Sequence, residues 1–138
     1  MDPLDFLNFA DSLKNSAEEA GRRSAISRAY YSVFHYIKAY LEEKGIPIPE
    51  DSTAHAKIPQ YLRNAGLEEV RELGQSVDDL QEARIDADYS IDLPGPTANT
   101  CSLFILKAKM AVSTFDSFKG RGLVCGIRQY LARIEGRS

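Results

Sequence analysis

The chain has no apolar run near the roughly 20 residues that a bilayer span requires, so no transmembrane segment is expected. Cysteine is scarce. Cys101 and Cys125 form no Cys-x-x-Cys pair and sit among apolar neighbours, which predicts two buried free thiols in a reducing compartment. Histidine is equally scarce. His35 and His55 belong to no Glu-x-x-His or His-x-x-x-His pair, so a metal site in a helical core is not expected, nor any other cofactor. There is no glycine loop of the kind that cradles phosphates, no internal repeat, no low-complexity tract and no convincing strand pattern.

What is present is ordinary globular material. Of 138 residues, 43% are hydrophobic and 27% charged, enough to build one core. The start, Met1-Asp2-Pro3-Leu4-Asp5, is acidic and lacks the basic region of a signal peptide, which predicts a cytoplasmic protein. The net charge of −3 is unevenly spread. Residues 42–92 carry thirteen acids against five bases, whereas residues 93–138 carry two acids against seven bases, Lys107, Lys109, Lys119, Arg121, Arg128, Arg133 and Arg137. The basic end is read as a solvated face balancing the acidic middle, in preference to an anion-binding surface. Ile134-Glu135-Gly136-Arg137-Ser138 contains a protease-recognition sequence common in expression vectors. It is set aside as a tail, leaving residues 1–133 as a single domain.

Amphipathic periodicity predicts five or six helices. The first runs from about Pro3 to Ala20, with Asp2 as N-cap and an apolar face of Leu4, Leu7, Ala10, Leu13 and Ala17, widened by Phe6 and Phe9. The second, about Arg22 to Lys44, buries Ile26, Ala29, Tyr30, Val33, Ile37, Tyr40 and Leu41, and Gly45 ends it. The third lies around Ala54 to Ala65, capped by Ser52 or Thr53, with Pro59 predicting a kink or a later start. The fourth spans about Leu67 to Tyr89. The fifth spans about Thr97 to Phe118, ended by Lys119-Gly120, and the last about Arg121 to Ile134. Such helices joined by short loops pack as a bundle, because each must bury its stripe against another.

Two places break the pattern. Ser24, Arg28, Tyr31 and His35, spaced by four, three and four, share one face beside the apolar stripe of the second helix. On the fourth helix, Arg84 falls in register with Leu73, Val77, Leu80 and Ala87, so an arginine is delivered to the core side. Two readings stay open for it. It forms an ion pair with Asp88 one turn on, or its guanidinium fork is aimed into a groove lined by Arg28, Tyr31 and His35, where it suits a phosphate.

Ser27-Arg28-Ala29-Tyr30-Tyr31-Ser32-Val33-Phe34-His35 is followed by His55-x-x-Ile58-Pro59-x-x-Leu62 and then by Arg84-x-x-Ala87-Asp88-Tyr89. That order and spacing over about residues 5–120 resembles the HEPN domain, particularly its small stand-alone prokaryotic branch. The resemblance implies an all-α antiparallel bundle of four or five helices that forms a homodimer. It also implies binding of RNA or a nucleotide, within a toxin–antitoxin or defence module. Relatives of this kind include metal-independent ribonucleases and accessory modules that partner a nucleotidyltransferase. In the ribonuclease branch an arginine is followed by a histidine, with four to six residues between them. Here Arg84 is kept, but Tyr89, Ser90 and Ile91 occupy those places. By that resemblance the catalytic candidates are Arg84, Asp88, Tyr89 and His35, with Ser24, Arg28, Tyr31 and His55 as binding residues. Either a degenerate ribonuclease or a non-enzymatic interaction module fits this set. The aromatic residues of helices two and five, more than one small core obviously needs, add to the case for a dimer.

Overall fold

The structure, a computed structural model, describes residues 1–136. Arg137 and Ser138, the end of the tail set aside above, lie outside the described residues. Six α-helices and no strand are found among the described residues: α1 (Leu4–Leu13), α2 (Glu19–Glu43), α3 (Ala54–Arg63), α4 (Glu68–Tyr89), α5 (Ala98–Phe118) and α6 (Val124–Glu135). A π-type turn, Lys119–Leu123, joins α5 to α6. No helix is long and apolar enough to cross a membrane among the described residues.

α2 is the central element and packs against α1, α4 and α5, while α4 also packs against α3 and α5. The α2 stripe is buried as its period demands: Ala29, Tyr30, Val33, Ile37 and Leu41 have no exposed surface. Across from it α4 presents Val70, Leu73, Val77 and Leu80, with Arg84 next in the same register, 7% exposed. α5 adds Cys101, Ile105, Ala108, Ala111 and Phe115. Tyr30, Phe34 and Phe115 are consumed by this core, and Tyr31, Tyr36, Tyr40, Phe104 and Phe118 pack half-buried against it. The aromatic surplus that supported a dimer is thus largely absorbed within one chain.

Local chemistry sets the helix ends. The Asp2 carboxylate accepts the Leu4 N–H at 2.9 Å, and Pro3 already has helical dihedrals. α1 stops at Leu13, earlier than the periodicity suggested. The Ser16 hydroxyl accepts the Glu18 N–H at 3.2 Å, and Glu18 turns to extended backbone, so a hydroxyl turn wins over the continued stripe. Ala17 is exposed and Phe9 is 53% exposed, so neither belongs to the buried face. α3 begins at Ala54 despite Pro59, which is carried inside the helix. Thr53 stands at its N-cap without capping through its side chain; instead Asp51 accepts the Thr53 N–H at 2.9 Å. α5 ends at Phe118 with Lys119 at its C-cap, as expected, and the chain turns into α6 at Gly122, whose φ of +87° favours glycine. Cys101 is buried as expected, but Cys125 is exposed because it sits on the outer side of α6. Apolar neighbours in sequence do not fix which face of a helix a residue takes.

Two adjacent arginines at the start of α2 tie the loops together. Arg22 donates to the carbonyls of Ser16 (2.9 Å), Ala17 (3.1 Å) and Pro96 (2.8 Å). Arg23 donates to those of Asp86 (3.3 Å), Ala87 (3.0 Å), Ser90 (3.2 Å) and Leu93 (2.7 Å), so one guanidinium closes the C-terminal end of α4 and the loop after it.

Candidate functional site

The register of α4 places the Arg84 side chain against α2, with 9% of it exposed. Its guanidinium carbon lies 5.5 Å from the Tyr30 ring centroid and 5.3 Å from that of Tyr31. Two aromatic rings beside a desolvated cation contribute roughly 0.5–2 kcal/mol each. Asp88 is in ion-pair range, 3.7 Å from Nη1, but too far for a hydrogen bond. The Asp88 carboxylate instead accepts from the Ser27 hydroxyl at 3.2 Å. Arg84 Nε is buried with no partner, and among the described residues the guanidinium makes no hydrogen bond. An arginine so enclosed with its donors unspent is unusual.

The ring cluster extends from there. The Tyr30 hydroxyl and His55 Nδ1 are 2.6 Å apart. Burial pushes the Tyr30 phenol well above its usual value, so it stays protonated. Burial first, then the Arg84 charge, lowers His55, which is therefore neutral near pH 7. A phenol is a better donor than a neutral imidazole N–H, so Tyr30 is assigned as donor to Nδ1. That leaves the His55 proton on Nε2. The His55 ring stacks on Phe34 at 4.2 Å. Tyr31 stacks on His35 at 5.9 Å, and His35 on Phe6 of α1 at 6.0 Å, making a short ladder of rings at one side of Arg84. Burial also lowers His35, with Lys38 adding to it. The Arg28 guanidinium lies 5.6 Å from the Phe6 ring centroid.

The proposed residues therefore separate. Arg84, Tyr31, His55 and Asp88 come together, with His35 behind Tyr31. Arg28 is exposed and meets Phe6, so it does not share a groove with Arg84. Ser24 is exposed, and its hydroxyl makes no hydrogen bond among the described residues. Tyr89 is 71% exposed, because the α4 period turns it outward, and it does not join the cluster. Ser27, Tyr30 and Phe34 stand in the motif but not among the site residues expected from it. A tyrosine in the middle of a buried stripe was the available signal, since its hydroxyl must find a partner.

Two expectations follow. Tyr30→Phe removes the donor to His55 and should lower stability by about 1 kcal/mol, read as a drop of roughly 3–5 °C in Tm. An unchanged Tm would mean that this hydrogen bond contributes nothing. The second concerns pH. His35 and His55 are held below the ordinary value of 6.5 in the folded chain, so below that pH the unfolded chain takes up more protons. Stability should be full above about pH 6.5 and fall as pH drops toward the two folded values. The carboxylates of Asp11, lowered first by Lys14, and Glu19, lowered first by the Gly95 N–H, give a separate loss only near about pH 4 and below. Chemical denaturation from pH 7.5 to 5 checks this, and a flat profile in the His35→Gln, His55→Gln double variant should accompany it.

The arrangement can hold an anion. It offers a preorganised guanidinium with free donors, a neutral imidazole with a free Nε2–H, and adjacent ring faces. Among the described residues no group of three or more His, Cys, Asp or Glu is placed to hold a metal ion. Comparison with known proteins agrees with the motif order. No curated protein and no solved structure matches the chain. The model of the HEPN domain family matches residues 7–121, which include α1 from Leu7 and all of α2 to α5, Arg84 among them. The chain belongs to the HEPN domain family.

Proposed function

We propose that this protein binds RNA or a nucleotide by a phosphate group held at Arg84, and that it serves in a prokaryotic toxin–antitoxin or defence module. The observation that carries the reading is the Arg84 side chain, nine-tenths buried with its Nε unpartnered and Asp88 only at 3.7 Å. A bidentate phosphate satisfies such a fork, whereas a purely structural arginine would be expected to meet its carboxylate at hydrogen-bond distance. The ring ladder of Tyr31, His35 and Phe6 supplies faces on which an unpaired base can stack.

Cleavage makes a further demand. Metal-independent scission needs a base for the ribose 2′-hydroxyl and an acid for the leaving oxygen, while Arg84 steadies the charge on phosphorus. No histidine follows Arg84, and Tyr89 faces solvent, so His35 and His55 are the groups that would move protons. His35, neutral near pH 7, is suited to accept the 2′-hydroxyl proton, whereas neutral His55 offers only a hydrogen bond from Nε2–H and acts as the acid for the leaving oxygen only in its protonated form. The missing motif histidine favours the second reading, a non-enzymatic module whose partner is a nucleotidyltransferase. In that reading the same residues bind a phosphate and do not cut. A second copy of the chain would set two Arg84 sites in one homodimer. The test is titration of a single-stranded RNA oligomer and of a mononucleotide against wild type and Arg84→Leu. Equal affinity in both proteins sinks the proposal. Binding without scission selects the non-enzymatic reading.

A further inference from the structure

The opposite side of α4 carries a different surface. Glu69, Glu72, Asp79, Glu82 and Asp86 recur at helical spacing along it, and none forms an ion pair among the described residues. The other acids of this stretch are engaged: Glu68 with Arg71, Asp78 with Arg63, Asp88 with Arg84. Beside this acidic wall runs the outer face of α5, where Leu103, Leu106 and Met110 are 50%, 53% and 60% exposed. Spacings of three and four put all three on one stripe. An apolar stripe left open on a small domain marks a surface that something covers.

Wall and stripe enclose two depressions, of 590 Å³ and 460 Å³, that share Asp79 and Lys107 and so form one continuous groove. Phe104 and Leu93 line its far end. From Glu69 to Asp86 the groove follows about 26 Å of helix, the length of a helix of about 18 residues. Lys107 is the basic residue shared by both depressions, and its ammonium lies 5.4 Å from the Phe104 ring centroid, on its own helix.

We propose that the α4–α5 groove is a docking site for a basic amphipathic helix of a different protein. Its apolar face would cover Leu103, Leu106 and Met110, and its lysines or arginines would meet the five carboxylates. Charge selects this occupant. A second copy of the chain would bring its own α5 to the groove, with Lys107 and Lys109 as the cations, and Lys109 already pairs with Asp11 at 3.6 Å. Arg23 at the far end of the groove is already taken by Glu19 and four carbonyls, and one free lysine against five carboxylates leaves a twofold pairing repulsive. Nucleic acid and anionic lipid are repelled for the same reason. The groove is built from the face of α4 that does not carry Arg84, so this inference is independent of the phosphate site.

The test uses the full chain and a fluorescent model peptide of about 18 residues, with leucines at helical spacing and lysines at the remaining positions. Anisotropy should give binding at micromolar concentration. Binding should fall about tenfold or more in Glu72→Lys/Asp79→Lys/Glu82→Lys, and similarly in Leu106→Asp. Both sets of changes are on exposed or half-exposed positions, and far-ultraviolet circular dichroism confirms folding. The same peptide with glutamate in place of lysine should not bind, and RNA affinity should not fall in the charge-reversed variant. The inference is overturned if the lysine peptide shows no binding at about 100 µM, or if the charge-reversed variant binds it as well as wild type. It is also overturned if light scattering shows a dimer that Leu106→Asp splits, because the groove is then covered by a second copy.

Discussion

Replacing Arg84 by leucine is expected to abolish phosphate binding while leaving the fold intact or slightly more stable. Two free-energy terms oppose each other in the wild type. The cation loses water on burial, and it recovers only part of that through two ring faces and an Asp88 carboxylate at 3.7 Å. Nε has no compensation at all. Leucine fits the register of Leu73, Val77, Leu80 and Ala87 and buries against the same tyrosines. It does not strand Asp88, whose side chain is one-third exposed and keeps the Ser27 hydroxyl. Exchange of a buried, poorly paired ion for a hydrocarbon is often neutral or stabilising. The ligand, in contrast, loses two charge-assisted hydrogen bonds, each contributing roughly 1.5–3 kcal/mol, so affinity should fall about a hundredfold or more. Melting temperature and RNA affinity measured on one preparation decide the matter. A variant that binds normally and melts higher leaves Arg84 as a helix-end ion pair. A variant that melts much lower shows that the guanidinium is a structural post.

The largest stability effect is expected at Gly126. An ideal Cβ there would lie 1.9 Å from the Ala65 carbonyl oxygen and 2.8 Å from its carbon, both backbone atoms. Neither can swing aside like a side-chain tip, so α6 must lift from the end of α3. Its anchors are few: buried Ile127, the Gln60 amide donating to the Tyr130 hydroxyl at 2.5 Å, and Arg128 donating to the Lys44 carbonyl at 2.6 Å. Gly126→Ala should therefore destabilise by about 1–3 kcal/mol, a Tm lower by roughly 5–10 °C. Because α6 lies beyond residues 7–121, the damage should be local. Limited proteolysis should clip the chain after Phe118 while α2 to α4 resist. Equal Tm and equal protection in the two proteins would show that the approach of α6 to α3 is not kept in solution.

How much of this was legible in the sequence depends on distance along the chain. The α2 and α4 stripes follow directly from a period of 3.6, and so does the burial of Arg84, because register along a single helix needs no knowledge of its neighbours. The glycine stop at Gly45 is equally local. α1 was read too long because Ala17 continues the period, while Ser16 ends the helix through a bond to Glu18 that competes at short range. The candidate site was legible only in part. Tyr30 and His55 are 25 residues apart on different helices, and nothing in either periodicity states how α3 is rotated about α2. For the same reason Arg28 and His35 are expected beside Arg84 from their shared face, whereas they lie against α1 with Phe6 as their partner.

The paired arginines Arg22 and Arg23 also constrain the order of events during folding. The carbonyls that Arg23 gathers lie 63 to 70 residues further along the chain, and the Pro96 carbonyl that Arg22 takes lies 74 residues on. A loop of that span has a high entropy of closure, and these bonds alone do not offset it. They form cheaply only after α2 and α4 have already met through their apolar stripes. The loop from Ser90 to Thr97 therefore falls into place late, behind the rate-limiting step. Substitutions at Arg22 or Arg23 should then accelerate unfolding and leave the folding rate nearly untouched.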